Sequence, residues 1–327
     1  MGTYITSASP KSKAILKAIF LVVLAGLVCA PVRSAQSQTP DWQVAAGGRM
    51  VFDEATVHQT TPGSSPYGVG SNFPLGPGDI YIPNGGKFRG SNLPLIVYIK
   101  FAYKITDSQE LLLDPQLPEW TTRTRYDIRA SAQGNPTKDQ MRLMIQSLLA
   151  DRFRLAIHYE TRQVPVFELL VDQPGTLGPL LQRHPDDILC PTTFRSPAPT
   201  AAPVTIDSRF PVACGGIVGM DPSAPGRFRV GARNVPMDLI ASSMAGGASG
   251  LERPVLDRTG LAGGYDFAIE FAPQPDGPPT PGAKSLVDST APTFAEALKE
   301  QLGLELEPKM GPFDVLVIDN VEEPPAN

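Results

Sequence analysis

The sequence predicts an α+β protein made by tandem duplication, each copy a small sheet with two helices on one face. Three observations carry that expectation. Between Lys87 and Asp172 a set of features appears that returns in the same order between Arg227 and Asp319: Phe88 with Phe228, Asn92-Leu93-Pro94-Leu95 with Asn234-Val235-Pro236-Met237, Tyr126-Asp127-Ile128 with Tyr265-Asp266-Phe267. A helix-start signal, Thr-x-x-Gln at Thr137 and Thr-x-x-Glu at Thr293, follows in each, and each ends on strand-like residues, Phe167–Asp172 and Phe313–Asp319. A repeat spacing of roughly 140 residues is that of a duplicated unit, since solenoid repeats recur every 20 to 50 or so.

The chain divides accordingly. Lys11, Lys13 and Lys17 precede the uncharged run Ala18–Ala30, with Pro31, Ser34 and Ala35 beyond it, which predicts a secretory signal peptide over residues 1–35. The run falls short of the 20 or so residues of a transmembrane span, so no stable span is expected after cleavage. An uncleaved anchor using Ile15–Ala30 is the alternative. Val28 ahead of Cys29 argues against lipidation, which requires a small residue there. Residues 36–47 read as a polar linker, 48–172 as the first copy, 173–225 as a Pro-rich spacer, 226–321 as the second copy and 322–327 as a tail.

Within the first copy, Met50–His58 supplies an opening strand and Lys87–Arg89 a short one. Asn92 reads as a helix N-cap, with Pro94 tolerated in the first turn because its missing N–H has no helical partner there anyway. Leu95, Ile96, Ile99, Ala102 and Tyr103 then share one helical face. Pro115 and Pro118 forbid a long helix over Leu111–Trp120, and Tyr126–Ala130 is a strand. Thr137 and Gln140 form a capping box; Met141, Met144, Ile145, Leu148 and Leu149 behind it give the strongest helical period in the chain. Phe153–Glu160 and Val164–Val171 are expected to close as a hairpin. The second copy repeats this: Asn234 as cap, a helix from Met237, a strand over Tyr265–Phe271, a Pro/Gly-rich insert over Pro273–Ser289, a capping box at Thr293 and Glu296, and a closing hairpin from Leu304–Glu307 and Phe313–Ile318.

Composition excludes several functions. With 28 Lys and Arg against 33 Asp and Glu, a net charge of -5, no basic cluster is present to displace counterions from phosphates, and no nucleic-acid partner is expected. Three cysteines are present; once Cys29 leaves with the signal, Cys190 and Cys214 remain, both in the spacer. In an exported chain such a pair is a disulfide candidate, worth about 3 kcal/mol by loop closure; two free buried thiols are the alternative.

Candidate chemistry is sparse. His58, His158 and His184 lack ligand spacing, so no metal site is expected, and His158 reads as a solvated strand residue. Asp127 and Asp266 at matching positions invite a paired-carboxylate reading of the glycosidase kind, but a repeated structural position, each acid alternating with core-facing strand residues, is the stronger account. Gly247-Ala248-Ser249-Gly250 is not a nucleophile elbow, and no histidine follows it to act as base. No phosphate-binding loop, dinucleotide fingerprint or zinc-protease motif is present, and no cofactor is expected.

Gly86-Lys-Phe with Asn-Leu-Pro-Leu and Tyr-Asp-Ile, the run Gln146-Ser-Leu-Leu-Ala-Asp-Arg-Phe-Arg-Leu, Arg253-Pro-Val-Leu-Asp-Arg-Thr-Gly-Leu-Ala-Gly-Gly-Tyr-Asp-Phe and Glu300-Gln-Leu-Gly-Leu-Glu-Leu-Glu together resemble a large exported family of soil bacteria, the soil-associated family, a domain of unknown function. The resemblance spans residues 48–322 and implies export without supplying catalytic residues. The half-unit also resembles, in element order, the short N-terminal module of secretins and TonB-dependent receptors, which works by protein contact. The expected function is thus a non-catalytic binding or interaction module of the cell envelope or secreted space, periplasmic or extracellular, with an unknown envelope protein or small ligand as partner. A hydrolase acting on an envelope or extracellular polymer through Asp127 or Asp266 is one alternative. A sensory ectodomain partner of a membrane regulator is another, suggested by relatives of that family fused to membrane regulatory peptidases.

Overall fold

Helix α1 (Asp41–Ala45) opens a computed structural model that describes residues 1–2, 39–60, 68–186, 207–274, 288 and 290–324. The signal segment, Cys190, and parts of the spacer and the Pro/Gly-rich insert lie outside the described residues. The stretch read as a linker therefore holds a helical turn. Its Gln43 is buried, its amide 3.3 Å from the Tyr159 hydroxyl, and Lys104 lies 5.2 Å above the Trp42 ring.

The fold is α+β. A first sheet, in the order β1-β4-β3-β2, comprises β1 (Glu54–Gln59), β2 (Gly70–Ser71), β3 (Lys87–Pro94) and β4 (Arg125–Ser131), all antiparallel. Against it pack α2 (Leu95–Ala102) and α5 (Lys138–Phe153), with α3 (Asp107–Leu113) and α4 (Trp120–Arg123) between them in sequence. The capping box at α5 forms as its residue pattern dictates: Gln140 N–H donates to the Thr137 hydroxyl at 3.2 Å and Thr137 N–H to the Gln140 side chain at 2.9 Å. Met141, Met144, Ile145, Leu148, Leu149 and Phe153 are all buried on the face that the helical period defines.

A second sheet has the order β6-β10-β8-β7, from β6 (Leu181–Arg183), β7 (Gly216–Gly219), β8 (Phe228–Pro236) and β10 (Gly264–Phe271). Two of these, β6 and β7, come from the spacer, whose few apolar residues sufficed for short edge strands but showed no sustained period. Helix α6 (Met237–Ser242), then α7 (Phe294–Ala297) running into a π-helical turn at Leu298–Leu302, cover this sheet. In both sheets an early strand flanks the later central strand and a second early strand flanks the earlier one.

Asn92 and Asn234 are corrected by the structure. Neither caps a helix; Pro94 and Pro236 occupy the N-cap positions of α2 and α6. Both asparagines instead have left-handed backbones, φ 53° and 50°, where the register of β3 and β8 slips against its neighbour. Asparagine is among the few non-glycine residues that tolerate this region, so the repeated Asn marks a β-bulge.

The expected hairpins do not form either. Residues 156–171 make one continuous strand, β5 (Ala156–Val171), and residues 304–320 make another, β11 (Leu304–Asn320). They pair antiparallel along their whole length, from Leu304 opposite Val171 to Asn320 opposite Ala156, and β9 (Val255–Asp257) adds a parallel edge to β5. The alternation that suggested two strands per copy was real, but Gln163-Val164 and Gly311-Pro312 continue each strand where a turn was expected. Each strand thereby serves both halves. Ile157 and Tyr159 of β5 and Leu316 and Ile318 of β11 belong to the first core, whereas Leu169 and Leu304 belong to the second. Val166, Phe313 and Val315 form a small cluster where the strands cross. Residues 37–327 form one compact unit, and among the described residues no helix is long and apolar enough to cross a membrane.

Because the two cores share strands, Leu316→Ala and Leu169→Ala should each destabilise by about 2–5 kcal/mol and each shift one common unfolding transition. Urea titration followed by far-ultraviolet circular dichroism checks this; a separate transition for either half would refute the coupling.

Candidate functional site

A concave surface lies beside α3. This helix begins at a capping box that the residues Thr106-x-x-Gln109 encode, Thr106 N–H donating to the Gln109 side chain at 3.1 Å. Its three consecutive leucines diverge. Leu113 enters the first core, Leu111 packs on the second, and Leu112 on the cluster at the strand crossing. Ser108 is buried and accepts a hydrogen bond from Val255 N–H at 3.0 Å, tying α3 to β9. The side chain of Gln116, just past the helix, bonds Leu316 O and Ile318 N–H along the edge of β11, at 3.1 and 3.2 Å. A helix fixed on so many sides holds its remaining face rigidly.

That face carries Asp107, Glu110 and Asp114, spaced three and four residues apart and hence aligned. They line a cavity of about 480 Å³ whose opposite wall comes from the second sheet and its helices, with Phe228, Phe267, Phe271, Phe294, Ile240 and Met244 among its residues. Phe271 meets Phe228 and Phe294 edge-on, with ring centroids 5.6 and 4.9 Å apart. The rim opposite α3 is the turn Gly246–Ser249. Gly246 has φ 66°, a value that favours glycine, and the Ser249 hydroxyl lies 2.7 Å from both Met244 O and Gly246 O. That serine holds a turn together.

The acids are not equivalent. Glu110 pairs with Lys100 of α2. Asp107 accepts no hydrogen bond and makes no ion pair among the described residues; burial pushes its carboxyl up to about 6, Lys100 opposing and Glu110 adding to the shift. A carboxylate desolvated without a partner is the costly form, so protonation is favoured.

A smaller cavity of about 290 Å³ adjoins, sharing Asp107, Ile217 and Ser243. Its floor is Lys138, at the start of α5. The ammonium donates to Gly76 O at 3.0 Å and Gly78 O at 2.6 Å, and the fully buried Arg142 donates to the carbonyls of Gly76, Pro77 and Gly78 at 2.9–3.1 Å. Burial first, then the neighbouring Arg142, pushes the Lys138 ammonium down to about 7. The clamped turn lies against the edge of β7: a Cβ on Gly78 would sit 2.5 Å from Gly215 O, so only glycine allows that approach.

The residues singled out in the sequence lie elsewhere. Asp127, in β4, accepts from Asn92 N–H at 2.7 Å and from the Thr60 hydroxyl at 3.1 Å. Asp266, in β10 and fully buried, accepts from Asn234 N–H at 3.0 Å, lies 2.7 Å from His184 Nδ1, and has Arg233 at 3.8 Å. Each acid thus satisfies the amide exposed by its own β-bulge, in separate sheets with no shared partner. His58 sits across from Asp127 in the β1–β4 ladder. His158 is flanked by Asp319 at 2.8 Å and Glu160 at 3.0 Å. Among the described residues no group of His, Cys, Asp and Glu could hold a metal ion. Cys214 is buried and Cys190 lies outside the described residues.

Asp107 and Lys138 were missed by the sequence reading. The signal for the first was present, since Thr106-x-x-Gln109 has the same capping-box form as Thr137-x-x-Gln140. It was obscured by Pro115 and Pro118, which end the helix and drew attention to its limits. Nothing in the sequence marks Lys138 as buried, because the turn that covers it is some 60 residues away.

The family described as "Protein of unknown function (DUF3738)" matches residues 97–321, which include α3, most of the cavity wall and both long strands. No curated protein and no solved structure matches the chain.

Asp107 gives a pH test. A carboxyl raised in the folded state favours folding while protonated, and that contribution is lost as pH rises from the ordinary carboxylate range through about 6. Asp107→Asn should therefore melt higher than the parent at a pH of about 8 and equally at about 4; thermal scans at both values check it. His158 gives a second. Hydrogen bonds to Glu160, then Asp319, raise its pKa, so its contribution to stability is present below the unfolded value of about 6.5 and lost as pH rises through the folded one. Its NMR titration midpoint should lie above that value and drop in Glu160→Gln.

Proposed function

The chain belongs to that family of unknown function, and from this premise we propose that it is an exported, non-catalytic binding module of the cell envelope or secreted space, whose ligand site is the cavity between α3 and the second sheet. One observation carries the reading: a concave, largely apolar space with a few polar groups at its edge, the usual character of a small-molecule site. Supporting it, α3 is anchored to three apolar clusters and to β9, so the space is framed without waiting for a ligand. Asp127 and Asp266 are each occupied with a backbone amide, which favours a structural role for the repeated acids over hydrolysis.

Export is supported by the basic, then apolar, then small-residue order of residues 1–35. A disulfide between Cys190 and Cys214 goes with it, supported by the disulfide-bonded state of Cys214. Descent from a duplicated unit is supported by the matching strand order of the two sheets, the paired bulges at Asn92 and Asn234, and the bulge-capping Asp127 and Asp266.

Thermal shift across a panel of small apolar molecules should raise the melting temperature for at least one chemical class, and Ala248→Trp, which fills the cavity rim, should abolish that shift. A shift that survives Ala248→Trp would place binding elsewhere and refute this site. Peptide mapping of the exported protein without reductant should recover Cys190 and Cys214 in one linked peptide; alkylation of both as free thiols would refute the disulfide.

A further inference from the structure

We propose that the occupant of the larger cavity is a small organic cation, an ammonium group carried on an apolar or aromatic body, with the ammonium at Asp107 and the body among the phenylalanines. The inference rests on the reading of this cavity as the ligand site and adds the chemical class.

Charge selects first. Among the described residues, the ionisable side chains lining the cavity are Asp107, Glu110 and Asp114, with no Lys, Arg or His. An anionic ligand would add like charge to a space with reduced dielectric screening, whereas a cation would be drawn in. Glu110 is already balanced by Lys100. Asp107 feels Lys100 only at longer range: half-buried and facing both cavities, it has no hydrogen-bond or ion-pair partner among the described residues. A half-buried carboxylate facing a cavity has lost part of its hydration without gaining a protein partner, and a bound cation would restore to it the interaction that partial burial removes. Lys138 does not compete for this position. It lines the smaller cavity, and its ammonium is held by the carbonyls of Gly76 and Gly78.

The wall selects next. Phe228, Phe271 and Phe294 form a chain of edge-on contacts, and Phe267 and Met244 extend the same surface. Aromatic faces attract cations through the ring quadrupole and bury apolar area at the same time. A neutral ligand would use the wall alone; a cation with an apolar body uses the wall and Asp107 together.

The test uses the full chain and three probes of nearly equal shape: phenethylammonium, phenethyl alcohol and phenylacetate. Affinities from calorimetry and ligand-observed NMR should rank the ammonium about tenfold or more above the alcohol, a difference of about 1.4 kcal/mol, with the carboxylate weakest. Asp107→Asn should bring the ammonium down to the alcohol without changing the alcohol, and Asp107→Glu should keep the preference. Equal affinity for ammonium and alcohol, or tighter binding of phenylacetate, would overturn the cation while leaving the cavity as a binding site, and a preference that survives Asp107→Asn would overturn the placement of the ammonium at Asp107. Failure of all three probes to bind would overturn the cation and the site together. Alcohol binding that persists in Ala248→Trp would show that the probes bind outside this cavity, and would overturn both as well.

Discussion

The pairing of β5 with β11 is the constraint on which the remaining architecture depends. Two strands of 16 and 17 residues run past each other for their full length, and each delivers apolar side chains to both cores. Had each chain segment turned back at Gln163 or Gly311, each half would have closed on its own strands. The continuous ladder instead makes completion of either core conditional on the other half, through ordinary antiparallel hydrogen bonding and the two-residue alternation that sends successive side chains to opposite faces.

Helix α3 exploits that crossing. It lies beside β11, and because Leu111, Leu112 and Leu113 point to three different apolar clusters, the helix cannot rotate without vacating at least one of them. The acidic face left over is therefore held in place by core packing, and Asp107 is kept partly desolvated with only the field of Lys100, and no hydrogen bond or ion pair among the described residues, to offset it. An unfavourable charge environment is thus maintained by apolar energy elsewhere, a common relation between fold stability and functional surfaces.

Much of the local structure could be read from residues. The capping box at Thr137 and the helical period behind it placed α5, the repeated Tyr-Asp placed β4 and β10, and the alternation over Tyr265–Phe271 marked β10 as a strand. The misreadings share a cause. Asn92 and Asn234 have side chains that suit both a helix cap and a left-handed backbone, and the choice was made by the neighbouring strand, whose Asp127 or Asp266 accepts the amide that a bulge exposes. Likewise a period of two residues marks a strand but not its partner, so β5 and β11 were recognisable as strands while their mutual pairing was not. The site was hidden for the same reason. Asp107 is an unremarkable acid until α3 is laid against the second sheet, and Lys138 until the turn at Gly76–Gly78 folds over it.

The crossing also inverts the order in which the molecule is finished. The residues that complete the N-terminal core include Leu316, Ile318 and Val321, which follow every residue of the second core in the chain. Until they are in place, Phe153, Tyr126 and their neighbours have an open flank, so the first core waits on residues made after those of the second.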